Sequence, residues 1–93
     1  MSDDGDAADE VRVWLVERDY NDKGLVTLVY ATPDGERAVQ QNRSSRMLSR
    51  QGVTAATTLD GDRLSPVEDA DRRERYAHEA TRMAERHAPD EEV

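Results

Sequence analysis

Between Arg37 and Gln51 the chain carries four arginines, Arg37, Arg43, Arg46 and Arg50, and no acid. If residues 42–51 are helical, Arg43, Arg46 and Arg50 stand at i, i+3 and i+7 and share one face, with Gln40, Gln41 and Ser44 as hydrogen-bonding neighbours near its start. Guanidinium groups arrayed in this way can hold a phosphate or a carboxylate, and they can equally pair with the protein's own acids. Arg43, Arg46 and Arg50 are therefore the candidate anion- or partner-binding set. The interleaved aromatics of a single-strand platform are absent from this stretch, and binding that rests on phosphate neutralisation fades with salt. Nucleic acid is not the expected partner.

The other residue types that do chemistry are arranged for little of it. His78 and His87 are nine residues apart, about 900° of helical rotation, so they face opposite ways and cannot chelate one metal. Glu74 and Arg82, one turn to either side, make His78 read as a helix-surface residue. Asp19-Tyr20-Asn21-Asp22-Lys23-Gly24 opens like a calcium loop, but Lys23 occupies a ligand position and Tyr30 stands where the bidentate Glu belongs. It reads as a turn. Asp60-Gly61-Asp62 offers a weak cation site at most. Ser44, Ser45, Ser49 and Ser65 lack a nucleophile elbow, and the five glycines are scattered singly, so no phosphate loop exists. Zero cysteine removes disulfides, thiolate zinc, iron–sulfur clusters and cysteine nucleophiles. No catalytic residue, metal or cofactor is expected, and the reading is non-enzymatic.

The elements that must position these residues follow from local pattern. Val11–Arg18 alternates Val11, Val13 and Leu15 on one face with Trp14 and Val16 on the other, which predicts a strand apolar on both sides. Asp19–Gly24 is a turn, and Leu25–Thr32 repeats the pattern, completing a hairpin. Pro33-Asp34-Gly35 turns the chain into a polar third strand, Glu36–Gln41, at an edge. Asn42–Gly52 predicts a short helix capped by Ser44 or Asn42 and ended by Gly52. Val53–Leu59 is the fourth strand. Ser65-Pro66-Val67-Glu68 has the form of a capping box with proline at the first helical position, so a helix is expected from there to about His87. Residues 1–10 and 90–93 are acidic, and both ends are expected to be disordered.

The expected fold is one α+β domain over residues 11–89, in the order β-β-β-short α-β-α: a mostly antiparallel four-stranded sheet packed on a C-terminal helix. One Ala-rich helix covers only one face of such a sheet, so the other needs either the 42–52 segment or a second copy. A homodimer through the sheet is the expectation, with Trp14, Val16, Leu28 and Tyr30 as candidate interface residues. Function is then that of an interaction protein, with an anion- or nucleic-acid-binding module on the Arg43, Arg46 and Arg50 face as the alternative.

The formal charge of the 93 residues is −8, but residues 11–89 balance 13 acids against 13 bases, so the excess belongs to the ends. Twelve arginines stand against one lysine, and isoleucine and phenylalanine are missing. A salt-rich cytoplasm accounts for this bias, since salts strengthen burial of small apolar side chains; a GC-rich genome favours the same residues. No apolar run approaches the ~18 residues of a membrane span, so no membrane association is expected. The stretch VRVWLVERDYNDKGLVTLVYATPDGERAV, with RERYAHEATRMAERHAPD near the end, resembles a small uncharacterised protein family from haloarchaea. The resemblance implies a haloarchaeal cytoplasm and assigns no residue a role.

Overall fold

The first two strands form where alternation and β-branching are strongest. They are β1 (Glu10–Tyr20) and β2 (Leu25–Ala31), joined by a turn in which Asn21 Oδ1 accepts from the backbone N–H of Lys23 at 2.9 Å and of Leu25 at 3.0 Å. The computed structural model describes residues 10–93, and of residues 49–51 the backbone alone. Then follow β3 (Arg37–Ser44), α1 (Ser45–Gln51), β4 (Ala56–Asp60), a 3-10 turn over Gly61–Arg63, β5 (Ser65–Pro66) and α2 (Ala70–Arg86). The strands make one antiparallel sheet in the order β4-β1-β2-β3-β5. The α+β class and the helix against the sheet are as expected, with five strands instead of four.

Register assigns the two faces. Leu15 stands opposite Tyr30, Val13 opposite Thr57, and Tyr30 opposite Val39, so Val13, Leu15, Val26, Leu28 and Tyr30 share one face. Trp14 opposite Ala31 and Ala56 marks the other, which α2 covers with Tyr76 and Ala80. A bulge between Leu15 and Glu17 shifts the phase of β1. Val16 keeps to the face of Trp14 and packs with the Trp14 and Val29 clusters, and the shift brings Glu17 to the same side, where it meets Arg75 of α2 at 3.6 Å.

Ser44 caps α1, its hydroxyl accepting from Met47 N–H at 3.1 Å, and Gly52 ends it at φ 76. Both assignments match the sequence pattern. The start of α2 does not. Ser65 and Pro66 are the edge strand β5, pairing with Ala38 and Arg37, and the helix begins at Ala70 with Asp69 as its cap, accepting from Arg72 N–H at 3.0 Å. The reason is competition for hydrogen bonds. Val67 N–H donates to Glu36 O at 2.9 Å, and Arg73 Nη1 satisfies the carbonyls of Val67 and Glu68 at 2.8 and 3.0 Å. Proline, which has no N–H to give, suits the outer edge of a sheet.

The ends also differ from expectation. Glu10 belongs to β1, paired with Asp60, while the rest of the arm at 1–10 lies outside the described residues. The tail at 90–93 is tied down: Ala55 N–H donates to Glu91 O and Val93 N–H to Val53 O, each at 2.8 Å.

Candidate functional site

The face of Leu28 and Tyr30 is closed within one chain. Leu48 of α1, Val53 in the following segment and Leu64 after the 3-10 turn pack on it, leaving Leu28 2 % and Tyr30 5 % exposed. Trp14 is buried under α2 and Val16 is half-buried beside it. The candidate interface of Trp14, Val16, Leu28 and Tyr30 is thus internal packing, and the expected open sheet face is absent. The 42–52 segment supplies part of that cover through Leu48, and Val53 and Leu64 supply the rest.

The arginine set is divided in the same way. Arg43 lies on β3 opposite Val26, Arg46 is on α1, and the side chain of Arg50 lies outside the described residues. A strand residue and a helix residue do not share a helical face, so the i, i+3, i+7 array does not form. Among the described residues no carboxylate lies within ion-pair distance of Arg43 or Arg46.

What β3 does assemble is a cavity of about 290 Å³ under α1. Its alternation sends Gln41 and Arg43 to the face of Leu28 and Tyr30; β4 contributes Thr57 and Leu59, the 3-10 turn Arg63, and the end of α1 contributes Leu48, Gly52 and Val53. Arg43 Nη2 donates to Gln41 Oε1 at 2.9 Å. Burial raises the Tyr30 phenol above its ordinary value, against the opposing pull of Arg43 and Arg18, so the hydroxyl stays protonated and a donor. Arg63 carried no signal in the sequence, because only the chain's return past β4 brings it to the cavity that Arg43 lines.

A second feature is the outer edge of β3. Arg37 O turns inward to Thr32 N–H at 3.0 Å, whereas Glu36 O and the backbone of Ala38 turn outward to Val67 and β5. Antiparallel alternation then points the N–H and C=O groups of Gln40 and Asn42 outward. No strand covers them among the described residues, because β5 begins at Ser65, opposite Ala38, and runs away from them. A groove of about 640 Å³, lined by Val29, Ala38, Gln40, Val67, Arg72 and Tyr76 among others, runs beside this edge.

His78 is exposed on α2, and His87 Nδ1 sits 2.8 Å from Glu91 Oε2. That contact and the N–H of Ala88 hold the Glu91 carboxyl below its usual range. Among the described residues no group of three His, Cys, Asp or Glu is placed to hold a metal ion, and no helix is long and apolar enough to cross a membrane.

Fold and site together define a small α+β protein whose five-stranded sheet is covered on both faces and whose strand β3 is paired on its outer side only at Arg37 and Ala38 among the described residues. It belongs to the family of unknown function DUF7967, whose sequence model matches residues 7–93. No curated protein and no solved structure matches the chain.

Proposed function

We propose that the protein is a non-enzymatic interaction protein that pairs with a second copy of itself along the free edge of β3. The supporting observation is that edge: the outward backbone groups of Gln40 and Asn42 have no partner among the described residues, and the segment contains no lysine or proline of the kind that blunts exposed strands. A two-fold axis at Gln41 sets Gln40 against Asn42 of the partner subunit and Val39 against Arg43 of the partner subunit. No like charges face each other, and two hydrogen-bonded pairs supply about four backbone bonds. The relocation from sheet face to sheet edge follows from the closure of both faces. The composition, with twelve arginines to one lysine, supports a salt-rich cytoplasm as its setting.

Light scattering coupled to gel filtration tests this. The chain is expected to run as a dimer at about 100 µM, and Gln40→Lys/Asn42→Lys to run as a monomer with an unchanged unfolding temperature, since like charges then oppose across the axis. A monomeric parent chain, or a dimer indifferent to the double variant, overturns the proposal.

A further inference from the structure

We propose that the cavity under α1 binds a small organic anion, a carboxylate or phosphate monoester with a compact apolar group, through Arg43, Arg63 and the Tyr30 hydroxyl. Gln41 and Arg43 turn to the opposite side of β3 from the groove beside Tyr76, and Arg63 lines both.

The chemistry of the lining carries the inference. Two exposed arginines line the cavity, and among the described residues no carboxylate does. Neither Arg43 nor Arg63 has an acid within ion-pair distance among the described residues. An anion entering the cavity gains the attraction of both arginines. Arg43 is already oriented by its bond to Gln41, and a guanidinium fork matches a carboxylate or phosphate edge with two parallel bonds.

The Tyr30 hydroxyl makes no hydrogen bond among the described residues, yet no fully buried side-chain oxygen or nitrogen is left unpaired, so this hydroxyl is open to the cavity. Thr54 is spent on Ala56 O at 2.8 Å, which leaves Thr57 as the free hydroxyl across from it. Glu92 packs its carboxylate against Gly52 and stays outside the lining. Leu28, Leu48, Val53 and Leu59 form an apolar part of the wall. A volume of about 290 Å³ sits at the small end of ligand cavities, so the apolar group is of the size of one ring, and a polymer does not fit.

The probes are sodium phosphate and phenyl phosphate, titrated at low ionic strength and followed by amide and arginine Nε resonances and by calorimetry. Phenyl phosphate is expected to saturate, with shifts centred on Arg43, Arg63, Leu48 and Val53, and to bind about tenfold or more tightly than phosphate, its ring meeting the apolar wall. Arg43→Gln and Arg63→Gln should each weaken it about tenfold or more, and Tyr30→Phe by less. Arg46→Gln, on the outside of α1, should leave it unchanged. Absence of a saturable response to either probe overturns the proposal. So does an Arg46→Gln variant that loses as much affinity as Arg43→Gln, since binding would then be to diffuse surface charge.

Discussion

The two faces of the sheet are covered by different means. Under α2, Ala31, Ala56 and Ala80 let the 17-residue helix come close, and Trp14, Tyr76, Val29 and Val67 fill the space that remains. Gly35, at φ +73, belongs to this side, because a Cβ there would stand 2.1 Å from Arg73 O. Opposite, a seven-residue helix and two connecting segments lay Leu48, Val53 and Leu64 over Val13, Val26 and Leu28. A capped long helix meets the sheet as a rigid body and requires near-flat contact. Short irregular pieces follow the surface of branched side chains but fill it incompletely, and the Arg43–Arg63 cavity lies on that side. Close approach packs the α2 face tightly around Ala80 and leaves its open space to the groove beside Tyr76, whereas piecewise cover leaves the other face a cavity beneath α1 itself.

Large-to-small and small-to-large substitutions should therefore hurt opposite faces. Leu28→Ala, at 2 % exposure, should cost about 2–5 kcal/mol in denaturant unfolding, the largest effect. Ala80→Leu under α2 and Gly35→Ala against Arg73 should each cost about 1–3 kcal/mol, by overpacking and by backbone strain. An Ala80→Leu variant as stable as the parent would break the distinction. Removing the cap of the rigid cover, Asp69→Ala, should cost about 1 kcal/mol, while Ser65→Ala should stay within about 0.5 kcal/mol in the same assay, since Ser65 is an edge-strand residue.

The smallest effect concerns the turn seated on α2. Asp34 is held below the usual carboxylate range, first by the Thr32 hydroxyl at 2.6 Å and then by the Glu36 N–H at 3.0 Å. A depressed carboxyl stabilises the fold fully above its unfolded-state value and loses that contribution as pH falls through its folded value. Thermal melts between pH 6 and acid should show the parent losing slightly more than Asp34→Asn, whose side chain does not titrate.

Local patterns were legible wherever a residue and its nearest neighbours decide the outcome. Asn21, Pro33-Asp34-Gly35, the Ser44 cap and the Gly52 end are of that kind, as is the hairpin. The Ser65-Pro66-Val67-Glu68 pattern misled because the same four residues suit a helix start and an edge strand, and the choice fell to the outward backbone of Glu36 and Ala38. The bulge after Leu15 leaves no mark in the alternation up to Val16. Arg43, Arg46 and Arg50 are a set only on a helix that begins at Asn42, and β3 runs on to Ser44. Of the candidate site, Arg43 was visible and Arg63 was not, since the two are twenty positions apart and share a cavity only in the folded chain.

By itself the sequence determined the strands of the hairpin, the class of fold, the balanced charge of the body and the absence of sulfur chemistry, all properties of single residues or of neighbours along the chain. Tertiary structure decided what covers each face, where α2 begins, which edge stays open and which arginines share a cavity. These depend on whether distant backbone groups find hydrogen-bond partners and whether distant side chains fill one volume, and both are settled only when the chain closes on itself.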